Sequence, residues 1–137
     1  MCNWQDREFR YGKGRIQIAA QTFQDACEII LQAAQKRQTI SYTMVMDDLK
    51  QLGHPKINRG TIGHIVGEVS VQVSQITSPS IYPSSIVVRS GTNQPGDGFW
   101  GVDTGTNPPS GVPCNNRTNA LQHYQNDVFN RPWGCKC

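Results

Sequence analysis

Apolar residues recur at helical spacing in three stretches of the first half of the chain. In "TFQDACEIILQAAQK" (22–36), Phe23, Ala26, Cys27, Ile30, Leu31 and Ala34 fall on a single stripe, the signature of an amphipathic helix. Thr22 stands where an N-cap belongs, Asp25 lies in the first turn, and Lys36 and Arg37 suit the negative end of the helix dipole. Ahead of it, "RIQIAA" alternates apolar and polar, which predicts a short strand or an arm. "TMVMDDLKQL" (43–52) predicts a second helix with Val45, Met46, Leu49 and Leu52 inward, Ser41 or Thr43 as its cap and Gly53 as its stop. After the "HPKIN" corner, "RGTIGHIVGEV" (59–69) predicts a third, with Ile62, Ile65, Val66 and Val69 on one face. Its Gly60, Gly63 and Gly67 each lower helicity by up to about 1 kcal/mol relative to Ala. Glycines hold such positions when another helix or a ligand comes close to the backbone.

Beyond residue 69 the periodicity fades. Residues 70–82 are expected to form an irregular connection, "SSIVVRS" a short strand, "GTNQPGDG" a turn and "FWGV" a returning strand. Helix, corner, helix and hairpin is the order of a winged helix-turn-helix. In "TNALQHYQNDVFN" a last helix would pack Leu121, Tyr124, Val128 and Phe129 back on the body. The fold class expected is α/β, mostly α, as one domain over 1–137. A winged-helix core at 39–100 would carry an N-terminal helix before it and a loop-rich tail with a short helix, 101–137, after it.

Composition narrows the picture. Thirteen Gly and 8 Pro, with 7 of the Pro after residue 78, make the second half poor in regular structure. No run approaches the roughly 20 apolar residues of a membrane span, and the polar N-terminus lacks a secretory h-region. The expectation is a soluble, cytoplasmic protein without membrane partners. Net charge is only +3, with six basic and four acidic residues in 1–40 and four of each in 41–100. A general polyanion binder carries a larger surplus, so nucleic-acid contact would rest on a few placed cations, chiefly Lys56, Arg59 and Arg89.

"SYTMVMDDLKQLGHPKINR", then "TIGHIV" and "IYPSSIVVRSG", resembles the C-terminal DNA-binding half of the O6-alkylguanine-DNA alkyltransferases and alkyltransferase-like proteins. Ser41-Tyr42 match the family's opening, Gly53, Pro55 and Arg59 sit at its spacing, and Pro83, Val87, Val88 and Gly91 fit its later segment. The likeness covers residues 39–100, about 45% of the chain, in short pieces separated by insertions. It implies a winged helix on duplex DNA, with Tyr42 near a phosphate and Arg59 entering the base stack. Lys56 and Arg89 would neutralise phosphates, with Asn58, Thr61 and Ser84 completing the contact set. The family's Pro-Cys-His-Arg is here Pro83-Ser84-Ser85-Ile86. Without the thiolate and a base to activate it, alkyl transfer is not expected, and the reading is a non-catalytic nucleic-acid-binding protein that needs no cofactor.

A different class of function also fits. A small protein-binding module, of the inhibitor, immunity or phage-antagonist kind, would dock through the 91–100 turn with Asn93, Gln94, Phe99 and Trp100. Phe99 and Trp100 equally fit a core role, since apolar side chains are usually buried. His54 and His64 are expected to face solvent. The weak metal candidates Cys114, His123, Cys135 and Cys137 lack paired Cys-x2-4-Cys spacing, so no metal is expected. Five cysteines, an odd number, also argue against a disulfide framework.

Overall fold

The computed structural model describes residues 2–54, 56–78, 80–96, 99 and 117–131. The chain opens as an antiparallel hairpin, β1 (Arg7–Tyr11) and β2 (Gly14–Ile18), turning at Gly12, whose φ of 58° favours glycine. Alternation sorts the faces. Phe9, Ile16 and Ile18 turn toward the body, whereas Glu8, Arg10, Arg15 and Gln17 stand in solvent. Helix α1 (Ala20–Gln35) follows and buries the predicted stripe from Phe23 to Ala34. Its start is capped from a distance, because Ala20 N–H donates to Asp6 Oδ1 at 2.8 Å. Thr22 is therefore not the N-cap; it is buried inside the first turn.

A two-residue strand, β3 (Ile40–Ser41), runs straight into α2 (Tyr42–Gln51). Ser41 Oγ accepts from Met44 N–H at 3.1 Å, which makes Ser41 the cap. Gly53, with φ 98°, ends the helix: Gly53 N–H donates to Lys50 O and His54 N–H to Leu49 O, both at 3.1 Å. That pair of bonds is a Schellman motif.

Helix α3 (Arg59–Ile76) runs well past the predicted end at 69. "VSVQVS" alternates like a strand, yet Val69 and Val73 lie four apart on the core face and Ser70 is buried beside them. Packing has overridden the β-branched preference. Thr77 finishes the helix, donating to Val73 O and accepting from Ile81 N–H. A 3-10 turn over Pro83–Ile86 leads into β4 (Val87–Val88). This strand pairs in parallel with β3, Ile40 opposite Val87 and Ser41 opposite Val88. The expected hairpin with "FWGV" is not seen among the described residues: Phe99 N–H closes a turn onto Gly96 O, and 100–102 lie outside them. Helix α4 (Arg117–Asn130) buries Leu121, Tyr124 and Val128.

The protein is thus α/β and mostly helical, with small sheets. One main core joins α1, α2, α3 and the 83–87 segment around Phe23, Ile30, Leu49, Ile65 and Ile86. Full burial of each such side chain contributes roughly 1.5–3 kcal/mol. A smaller cluster holds Phe99, Ala120, Leu121 and Tyr124, with Tyr82 and Phe99 each set edge-on to Tyr124 at 5.5 Å. Cys27 is buried and disulfide-bonded, contrary to the expectation from the cysteine count. No helix among the described residues is long and apolar enough to cross a membrane.

Candidate nucleic-acid groove

Most of the "GHPKINR" corner is built to join helices. Gly53 supplies the left-handed turn, Ile57 is buried, and Asn58 caps α3 by accepting from Gly60 N–H at 2.8 Å and Thr61 N–H at 3.2 Å. Thr61 Oγ1 returns the favour by accepting from Asn58 N–H at 3.0 Å, a reciprocal capping box. His54, expected in solvent, is instead pinned to α1: its Nε2 is 2.7 Å from Asp25 Oδ2 and its Nδ1 3.0 Å from Thr22 Oγ1. Pro55 lies outside the described residues. Of the described corner residues after Gly53, Lys56, Asn58 and Arg59 stand exposed.

Arg59 opens α3 and faces an open cavity of about 490 Å³ between the starts of α2 and α3 and the turn after β4. Tyr42, Arg59 and Arg89 border it, and Met46, Ile62, Val66 and Phe99 supply apolar lining. Along α3 the cavity meets Gly63 and Gly67. A Cβ built on Gly63 would find nothing within 4 Å among the described residues, so none of them accounts for that glycine.

The turn that closes the cavity is fastened across α2. Gly96 N–H donates to Tyr42 Oη at 2.8 Å, and a Cβ on Gly96 would sit 2.9 Å from that same oxygen. Any larger residue there would have to push the Tyr42 hydroxyl aside. Ser90 Oγ donates to Thr43 Oγ1 at 3.4 Å, and Arg89 N–H to Gln94 O at 2.9 Å. Tyr42 thus clamps the turn with the oxygen that the family resemblance would aim at a phosphate. Nothing in the sequence ties Tyr42 to Gly96, because 54 residues separate them.

Three expected contact residues are brought to one groove: Tyr42, Arg59 and Arg89. Lys56 lies apart, beside β2 and His54 at a smaller cavity of about 200 Å³. Thr61 and Ser84 are both 0% exposed and have no surface to offer a ligand, which corrects their place in the contact set. Ser84 Oγ donates to Ser70 Oγ at 2.8 Å, deep against α3. The adjacent Ser85 hydroxyl is buried with no hydrogen-bond partner among the described residues.

Of the protein-docking residues, Phe99 is 2% exposed and packed under α4, so it cannot anchor a partner. Asn93 and Gln94 are exposed, with Gln125 Nε2 donating to Asn93 Oδ1 at 3.4 Å. Trp100 lies outside the described residues, as do Cys114, Cys135 and Cys137. His123 is exposed on α4, and no group of three potential metal ligands occurs among the described residues. Comparison of the chain with family models, curated proteins and solved structures gives no match.

Proposed function

We propose that this protein binds duplex DNA, without chemistry of its own, through α2, the corner and α3, with the 89–96 turn in the place of a wing. The observation that carries the reading is the convergence of Arg59, Arg89 and Tyr42, from three separate segments, on one open groove beside a bare glycine of α3. Side-chain-free backbone lets a polymer approach, and planar guanidinium groups pair with phosphate or stack on bases. The segments that resemble the alkyltransferases, 41–42, 53–59 and 83–91, supply all three of these residues. Ser84, standing where that family carries its nucleophile, is sealed against Ser70, which favours binding without alkyl transfer. The protein-docking alternative loses support with the burial of Phe99.

Fluorescence anisotropy on a labelled 20-base-pair duplex at 50 and 200 mM salt tests the proposal. With two or three phosphate contacts, log affinity should fall against log salt with a slope of about −2 to −3. Arg59→Ala should weaken binding at both salts. Absence of binding at 50 mM, or an Arg59→Ala protein that binds like wild type, would rule the reading out.

A further inference from the structure

The N-terminal hairpin carries a charge arrangement that folding alone disfavours. Register places Arg10 directly opposite Arg15 on the solvent face, and Lys13 follows at the turn. Like charges across a strand pair destabilise it. Arg15 has a partial remedy in Glu8 Oε2 at 3.6 Å, on two side chains that are both more than half exposed. Arg10 and Lys13 are exposed and form no ion pair among the described residues. The tip therefore presents three cations and one carboxylate to solvent.

The hairpin is also held in place. Arg7 Nη2 lies 3.2 Å from Glu68 Oε1, and the Phe9 ring stacks on His64 with centroids 4.8 Å apart and 22° between planes. His64 and Glu68 each follow directly on a glycine, Gly63 or Gly67, that meets the groove. One residue step turns a helix by 100°, so hairpin and groove flank neighbouring strips of the same helix.

From this we infer that the β1–β2 hairpin is a second phosphate contact, gripping the backbone of the duplex whose other side meets Arg59 and Arg89. The inference rests on the DNA-binding reading above. Phosphates between Arg10 and Arg15 would relieve the repulsion that the free protein carries, and the Arg7–Glu68 and Phe9–His64 contacts seat the hairpin on the helix that borders the groove.

The test is the double variant Arg10→Gln/Lys13→Gln, which breaks no pair within the described fold, measured on the same duplex across a salt series. With the hairpin contacts added, the wild-type slope should be steeper by about 1 to 2 units than the groove contacts alone give, and the double variant should lose that excess, with an unchanged or raised melting temperature. Arg10→Lys/Lys13→Arg, which keeps both charges, should restore the wild-type slope. A double variant that binds like wild type while Arg59→Ala loses affinity overturns the hairpin contact and leaves the groove reading standing. Weaker binding with an unaltered slope overturns it too, since the loss would not be electrostatic. Wild-type protein that fails to bind duplex at 50 mM salt overturns both.

Discussion

Helix α3 shows two faces made by opposite rules. Its inner face, centred on Ile65, Val69 and Val73, is packed against α1 and the 83–87 segment, with buried Ile62 and Val66 at its edge also lining the groove, and its polar members are committed: Thr61 to the capping box and Ser70 to Ser84. Its outer face carries Arg59 and Gly63, with open space where a side chain would be. Inside, the buried polar side chains Thr61 and Ser70 have partners that explain them. Outside, a helix-weakening glycine and a cation have no such partner among the described residues, and that contrast is what the proposed DNA contact would explain.

The largest break in this comparison should come from the inner face. Ile65→Ala removes a fully buried side chain and should cost about 2–5 kcal/mol, read as a lowered denaturation midpoint, without a specific effect on DNA affinity in the folded fraction. Asn58→Ala strips the cap from α3 and should cost about 1 kcal/mol; since Arg59 sits on the first turn, frayed ends should also weaken binding modestly.

Ser84 and Ser85 sharpen the inner-face rule, being neighbours with opposite expected signs. Ser84→Ala removes the donor to Ser70 and should destabilise by about 1 kcal/mol. Ser85→Ala removes a buried hydroxyl with no partner among the described residues and should stabilise by about as much. Equal signs in parallel thermal melts would show that the hydroxyl contacts do not govern this seam.

The outer face yields the smallest stability changes and the largest functional ones. Gly63→Ala should raise stability by up to about 1 kcal/mol, because the position is helical and open, while reducing duplex affinity by blocking the backbone approach. Arg59→Ala should leave stability within about 0.5 kcal/mol of wild type and still lower affinity in the salt series, and Arg89→Ala should lower affinity in the same series. Gly63→Ala binding DNA as well as wild type would assign that glycine no role at the groove.

Local signals explain why much of this fold is legible in the chain. The stripe from Phe23 to Ala34, Ser41 as a cap, Gly53 as a stop and Leu121, Tyr124 and Val128 facing inward all depend on residues within a few positions of one another. Where the reading failed, a distant partner was responsible. Asp6 caps α1 in place of Thr22, Asp25 and Thr22 draw His54 out of solvent, and the core pulls "VSVQVS" into helix despite its alternation. The site divides the same way. Arg59 and Arg89 stand out by charge and Met46, Ile62 and Val66 by periodicity, while nothing in the sequence marks Gly96 or the meeting of these residues at one groove.

Periodicity and capping chemistry in the sequence alone determine three amphipathic helices, a basic corner between two of them and a C-terminal helix, because each hydrophobic stripe is set by the helix repeat. Tertiary structure decided which charges share a surface. The parallel pairing of Ile40–Ser41 with Val87–Val88 brings Arg89 to the groove beside Arg59, and Phe9 stacked on His64 seats the basic hairpin on α3. Such pairings join residues dozens of positions apart, and their geometry follows from how whole elements pack, which no local pattern records.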